Sequence, residues 1–285
     1  MATSQALLDD VRSRIVESTA AYFSDAEILR WLNQGYKRFI SQTEWAERVT
    51  AYPMVANQHE YAIASDVIKV CDMRWQDKYK VWLKDLEEFN MAVGPGTSSI
   101  GTRPEIYRLY PWDGKFRLHP RPSTASAATT LNGGINSSDT TITVVSAADF
   151  PSYGRVKIES EQILYYAKTS TTLLQCVRGD GTTTAASHST AVAVTYAPLE
   201  VYNVYMPADL ATSPAVGTVT SPNYDEAIIN YACHVAMLKR ERFDNAQLFR
   251  QLYDDIVSTA IQERRKMQLD RLFTFKDEDL YGHMY

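Results

Sequence analysis

The sequence predicts an α+β protein: a mainly helical bundle, made of an N-terminal helix pair plus two long C-terminal helices, with a small antiparallel sheet and an inserted all-β domain. Three observations predict it. Apolar residues recur at helical spacing near both ends of the chain, short alternating runs broken by turn residues fill its first middle third, and between Ser123 and Tyr196 the composition turns abruptly to Ser, Thr, Ala and Gly. The resulting division is 1–122 plus 198–270 for the helical core with its sheet, 123–197 for the inserted domain and 271–285 for a C-terminal tail.

Residues 4–18 place Leu7, Leu8, Val11 and Ile15 on one helical face. The next helix opens at Ser24, where the run SDAE is a capping box: the Ser24 hydroxyl can accept from the Glu27 N–H, and the Glu27 carboxylate can reach back. Ile28, Trp31, Leu32 and Phe39 form its stripe, and Gly35 in mid-helix, which sacrifices ~1 kcal/mol of propensity, implies a close approach by another element. From Thr50 to Val93 the pattern is strand, turn at VANQHEY, strand, then a short helix near LKDLEEF. After the glycine- and proline-rich loop GPGTSSIGTRP, two strands join across Asp113 and Gly114, a dipeptide suited to a tight hairpin.

Strand candidates in the next segment are TTITVVSAADF, GRVKIES, EQILYYAKTS, TTLLQCVRG and TAVAVTYA, separated by turns at NGG, PSYG, Ser160, TSTT and GDG. LEVYNVYMPADL then resumes the earlier strand pattern, which is why an insertion between neighbouring strands explains the chain better than domains in series. Two helices finish the fold. One runs from Tyr224 to Arg242 with Ile228, Ile229, Ala232, Val235 and Ala236 inward, and one begins near Asp244 with Leu248, Leu252, Ile256 and Ala260 on its stripe. The closing segment mixes charge signs with Leu272, Phe273, Phe275, Tyr281 and Tyr285; with weak periodicity and no core of its own, it awaits a groove on a partner.

Composition excludes several classes of function. The 285 residues are 45% hydrophobic, enough for a real core, and the net charge of -5 leaves no global basic field for sequence-specific nucleic-acid binding. No signal peptide and no run near the ~20 apolar residues of a membrane span is present, which implies a soluble protein made in a cytoplasm. Cys71, Cys176 and Cys233 lack CxxC spacing and read as small core residues, and the histidines at 59, 119, 188, 234 and 283 form no ligand pattern, so no metal is expected. GxSxG, GxGxxG and phosphate-loop motifs are missing, and GDGTTT at 179–184 reads as a turn. Paired carboxylates at Asp9 and Asp10, Glu87 and Glu88, Asp254 and Asp255, and 277–279 read as solvated faces. Neither a catalytic residue nor a cofactor is expected. The basic clusters Lys239, Arg240, Arg242 and Arg264, Arg265, Lys266 fall in late turns of helices, where cations complement the dipole, with contact to an acidic partner or DNA as the other reading. The aromatic content, Tyr 18, Phe 9 and Trp 5, suits packed interfaces.

The ordered series FSDAEILRWLNQGYKRFISQTEW, QHEYAIASDVIKVCDMRW, RPEIYRLYPWDGKFRLHPRPS and PNYDEAIINYACHVAMLKRERFDNAQLFRQLYDDIVSTA resembles the head-to-tail adaptor family of tailed bacteriophages over residues 1–122 and 198–270. The departure is the segment LNGGINSSDTTITVVSAADFP, GRVKIESEQILYYAKTS and CVRGDGTTTAASHSTAVAV, which is similar to a small β domain that recurs in phage virion proteins. The resemblance implies a non-enzymatic virion protein of the neck, assembled in the host cytoplasm. It implies a homo-oligomeric ring, dodecameric in the family, under the portal protein and above tail or nozzle proteins, with genomic DNA passing through without sequence-specific binding. It also implies that Leu272, Phe273, Phe275, Tyr281 and Tyr285 contact the portal or a neighbouring subunit. An alternative is a neck or tail protein whose β domain binds a host surface glycan through Tyr153, Tyr165 and Tyr166, although alternation in QILYYAK turns one of the adjacent tyrosines inward.

Overall fold

A computed structural model describes residues 3–17, 22–94, 99–211, 218 and 222–281, with no side chains described for Pro222 or beyond Met267. The elements begin with α1 (Ser4–Arg14), α2 (Asp25–Thr43), β1 (Glu47–Tyr52), β2 (Glu60–Ala62), β3 (Val67–Trp75), β4 (Tyr79–Lys80), β5 (Trp82–Leu83) and α3 (Leu86–Val93). Then come β6 (Ile100–Gly101), β7 (Ile106–Tyr110), β8 (Lys115–His119), β9 (Arg121–Pro122), β10 (Ala128–Thr130), β11 (Ile142–Thr143) and β12 (Gly154–Ile158). β13 (Glu161–Tyr165), β14 (Ala167–Lys168), β15 (Thr172–Leu174), β16 (Ala193–Tyr196), β17 (Leu199–Tyr205), α4 (Pro222–Lys239) and α5 (Phe243–Tyr281) complete the chain. They fall into two compact units, 1–46 with 205–285, and 47–204.

The first unit is helical. Thr3 caps α1, its hydroxyl accepting from the Ala6 N–H at 3.2 Å, and Ser24 with Glu27 forms the capping box at the head of α2. The far end of α2 stops at Glu44, which adopts a left-handed backbone at φ 53° and donates its N–H to the Ile40 carbonyl at 2.7 Å. Leu7, Leu8, Val11, Ile28, Trp31, Leu32, Phe39, Ile228, Ala232 and Ala236 share one buried core. Gly35 is required there: a methyl group at that position would lie 2.9 Å from Tyr231 Cβ of α4. Arg14 holds Glu226 through contacts of 2.5 and 2.7 Å, pinning α1 to α4. Arg12 pairs with Glu17 and Asp25, and Glu17 also takes the Tyr22 and Phe23 N–H groups at 2.8 Å and the Arg240 guanidinium. Burial alone would raise the Glu17 carboxyl, but these donors hold it below the usual carboxylate range.

The stripe on α5 departs from the expected one. Its inward residues are Ala246, Tyr253, Val257 and Ala260, whereas Leu248 and Leu252 are 54% and 40% exposed. Ile256 and Ala260 of the expected stripe do pack inward, but the first half of the helix buries Ala246 and the ring of Tyr253 in place of the two leucines, which are left in solvent. Three members of the basic clusters are tied to the unit itself: Lys239 reaches Glu27 at 2.9 Å on the surface, Arg240 pairs with Glu17, and the buried Arg264 reaches the Thr43 carbonyl at 2.8 Å and Glu44 at 3.0 Å. Arg242, Arg265 and Lys266 are exposed. α5 continues as helix through Tyr281, across the segment expected to lack structure of its own.

Strands build the second unit. The sheet orders are β1-β17-β3-β4, β2-β8-β7-β5, β6-β9, β10-β16-β12-β13 and β11-β15-β14. β1 and β17 are antiparallel in register from Glu47 opposite Val204 to Tyr52 opposite Leu199. The β7–β8 hairpin turns at Gly114, whose φ of 60° suits glycine, as the Asp113–Gly114 pair predicts. Met54, Tyr61, Met73, Val81, Tyr107 and Phe116 form one core of this unit, and Leu131, Ile142, Val144, Val156, Ile163, Tyr165 and Val194 form a second, drawn wholly from the β-rich stretch.

Three expectations are corrected here. The molecule is mixed α+β, with 35% helix and 30% strand, and is not a mainly helical bundle. Its strands are two to nine residues long, too short for a strong alternating signal, so the long periodic helices dominate a reading of the sequence alone. The sheets are also not all antiparallel, because β5–β7 and β6–β9 pair in parallel. Cys71 is exposed instead of serving as a small core residue, while Cys176 and Cys233 are buried as expected.

Candidate interaction surfaces and buried polar sites

Two polar centres organise the β-rich unit, and both begin with adjacent residues of β13. Strand alternation sends Glu161 and Gln162 to opposite faces. Glu161, 1% exposed, points to the side where the β15–β16 connection carries Arg178 and His188. Its Oε1 accepts from Arg178 Nε at 2.8 Å and the Gly179 N–H at 3.0 Å; its Oε2 accepts from Arg178 Nη2 at 2.8 Å and the Ala186 N–H at 3.1 Å. His188 Nε2 lies 2.7 Å from the same Oε2, and its Nδ1 lies 2.9 Å from Glu159. Burial would raise this carboxyl, yet the donors from Arg178, His188 and the two backbone N–H groups outweigh it and bring it down to about 2. The expected turn at GDGTTT is present, and its first residue Gly179, with Arg178 just before it, supplies three of the contacts to the carboxylate.

Gln162, also 1% exposed, faces β1. Its carbonyl accepts from the Ala51 N–H at 2.7 Å, and its amide donates to the Val49 carbonyl at 3.0 Å and to Asp180 at 2.7 Å. Gly181 passes so close that a methyl there would meet the Val49 carbonyl at 2.2 Å, and its φ of +64° already disfavours other residues. Arg155 on β12 joins this group, donating to Asp180 at 2.7 Å and pairing with Glu200 of β17 at 2.7 Å. Glu200 is 2% exposed, and its Oε2 has no hydrogen-bond partner among the described residues. Burial, followed by repulsion from Asp77 and Asp180, pushes its carboxyl up to about 7 although Arg155 pulls the other way.

Glu161 and Gln162 are fully engaged by protein partners, and both centres have the character of structural fittings. Among the described residues there is no group of three or more His, Cys, Asp or Glu placed to hold a metal, and no helix long and apolar enough to cross a membrane.

The surface offers more. Within 79–100 of the second unit, Tyr79, Trp82, Leu83, Leu86, Met91 and Ile100 are all 40% exposed or more. Only Phe89 of α3 is buried, and β5 is the edge strand of its sheet. Cations lie over the rings: Arg103 is 4.2 Å from the Tyr79 centroid and Lys80 is 4.8 Å from that of Trp82. On the β-rich stretch Tyr165 is fully buried while Tyr153 and Tyr166 are 46% and 56% exposed, as alternation requires for the adjacent pair.

Of the residues expected to grip a partner, Leu272, Phe273, Phe275 and Tyr281 fall on the last turns of α5, where side chains lie outside the description, and Tyr285 lies outside the described residues. The carboxylates of 277–279 are likewise outside it. The exposed aromatic ribbon was not singled out from the sequence, although KYKVWLK carries its signal: cations alternating with rings, and no acid between Lys78 and Lys84.

The family model described as SU10 adaptor protein matches residues 2–272. No curated protein matches the chain.

Proposed function

The chain belongs to the SU10 adaptor protein family, phage head-to-tail adaptors, and from that premise we propose that it forms a homo-oligomeric ring, a dodecamer, beneath the portal protein and joins the capsid to tail or nozzle proteins. It is a structural component of the virion, and its work in this reading is mechanical: no bond is made or broken. The match over 2–272 is the observation that carries the proposal. Supporting it are the polar centres, whose side chains are engaged mainly with the protein itself and resemble fittings more than reaction sites, and the exposed apolar faces in both units.

In this reading genomic DNA passes through the ring without sequence-specific contact, because a subunit of net charge -5 discourages phosphate from adhering. Residues 123–197 are an inserted decoration on the adaptor core, and assembly takes place in the host cytoplasm. Leu272, Phe273, Phe275, Tyr281 and Tyr285 are the anchors for the portal or a neighbouring subunit, since buried aromatics carry most interface energy. Particles made without the chain are expected to lose their tails or their genomes; particles that keep both would overturn the proposal. Truncation after residue 270 is expected to preserve the helical fold and abolish attachment to portal rings, and unchanged attachment would remove the role given to the tail.

The exposed Tyr153 and Tyr166 favour a second reading, in which the β segment binds a host glycan by stacking on sugar rings. A glycan array probed with the full chain and with a Tyr153→Ala, Tyr166→Ala variant separates the two; binding lost in the variant supports this reading, and a silent array removes it.

A further inference from the structure

A helix normally spends its leucines on its own core. In α5 the residues Asp244, Leu248, Leu252 and Asp255 follow one another at spacings of four, four and three, so they share one face, and all four are exposed. Phe243, at 64% exposure, begins the same helix. Asp254 is engaged by Arg250 at 2.9 Å, whereas Asp244 and Asp255 have no ion pair among the described residues. This face is therefore apolar at its centre and negative at both ends.

The ribbon of β4 and β5, which runs on to Leu86 at the start of α3, carries the opposite charge on its β4 side. Trp82, Leu83 and Leu86 are at least half exposed. Lys78 and Arg103 both lie over the Tyr79 ring, at 5.3 and 4.2 Å, and neither has an ion pair among the described residues; Lys80 adds a third cation, held loosely by Asp72 at 3.8 Å. The ribbon is apolar at its centre and positive along its β4 side, while Asp85, Glu87 and Glu88, the last paired with Lys84 at 3.3 Å, lie along its α3 side. Isolated apolar surface of this kind on a monomer marks an interface, and opposite rim charges set which surfaces meet.

We propose that the Leu248–Leu252 face of α5 on one copy of this chain docks on the Trp82–Leu83–Leu86 ribbon of a second copy, with Asp244 and Asp255 against Lys78, Lys80 and Arg103. The contact joins two different patches, so it is heterologous: each copy keeps one free patch of each kind and can be followed by another copy until a rotation closes a ring. This deepens the adaptor-ring reading and rests on it for ring closure, while the pairing of the two patches is derived from their chemistry alone.

Full-length protein with benzoylphenylalanine in place of Trp82 is mixed in equal amount with heavy-isotope-labelled wild type, concentrated and irradiated. Position 82 is expected to couple to residues between Asp244 and Asp255, with light and heavy acceptor peptides in equal yield. A light-only product places the contact within one copy, and coupling elsewhere or no coupling shows another arrangement; each overturns the proposal. In sedimentation, Leu248→Asp and Trp82→Asp are each expected to weaken self-association at least tenfold while circular dichroism is unchanged, since both side chains are exposed. Mixed together, the two variants retain one good patch of each kind and should form heterodimers and nothing larger. Lys78→Glu is expected to weaken association and Asp255→Lys on the other copy to restore it, which an indirect folding defect would not allow; association unchanged in Lys78→Glu, or no rescue, overturns the charge pairing. Particles lacking the chain test the adaptor reading separately, so tails lost from those particles without the expected crosslinks would sink this inference and leave that reading standing.

Discussion

Glu161 and Glu200 are equally hidden, on strands of two different sheets of one unit, and they behave in opposite ways. Around Glu161 the chain gathers an arginine, a histidine and two backbone N–H groups, which hold the carboxylate ionised down to about 2. Around Glu200 it supplies half of one shared arginine, leaves an oxygen unmatched, adds two further acids nearby, and the carboxyl rises to about 7. The lesson is that burial decides nothing by itself; the number of donors delivered to the buried charge decides the sign of its effect.

The strongest way to break that comparison is at the better-served carboxylate. Glu161→Ala strands the Arg178 charge and two backbone donors inside the β core, and the expected cost is about 3–5 kcal/mol. Urea unfolding followed by hydrogen exchange in 128–196 reads it, and a loss under 1 kcal/mol would show that the site is wet and cheaply reorganised. Next in size, Gly181→Ala forces a methyl into the Val49 carbonyl at a left-handed φ and should cost roughly 2–3 kcal/mol by the same assay.

Acidity separates the two glutamates without mutation. The folded Glu161 carboxyl lies below its unfolded value, so its contribution is complete above about pH 4.5 and is lost as the pH falls towards 2. The folded Glu200 carboxyl lies above its unfolded value, so its contribution is complete below about pH 4.5 and disappears as the pH rises through 7. Glu200→Gln should therefore flatten a stability decline of roughly 2–3 kcal/mol between those limits and leave the acid limb unchanged. An unaltered slope in the variant would assign that decline to another group. The smallest effect is a control in the helical unit: Ser24→Ala removes one cap, should cost about 1 kcal/mol, and should not touch either pH limb.

Local signals in the sequence were readable where one short stretch holds the whole cause. The Ser24–Glu27 box, the tight approach at Gly35 and the hairpin at Asp113–Gly114 each depend on residues a few positions apart or on one missing side chain. Glu161, Arg178 and His188 span 27 residues and two turns, and no spacing rule links them, so the centre that holds the β segment together went unseen. α5 failed differently. Both Leu248–Leu252 and Ala246–Tyr253–Val257–Ala260 satisfy a helical period, and choosing between them requires knowing which face α2 and α4 cover. The expectation of a mainly helical bundle fell for a related reason, since strands of two or three residues leave almost no periodic trace. The tail residues 272–281 were marked for their aromatics, and the fold contributes only that α5 is helical there.

One small feature bears on how such a protein survives its own abundance. β1 is the outermost strand of its sheet, and an outer strand with free peptide groups invites any passing extended chain to add itself on. Here the Val49 carbonyl and the Ala51 N–H are already occupied by the primary amide of Gln162, a side chain imitating one rung of a further strand. That imitation fills one rung of the ladder, so an extended chain adding itself at this edge would first have to displace a buried amide that also holds Asp180.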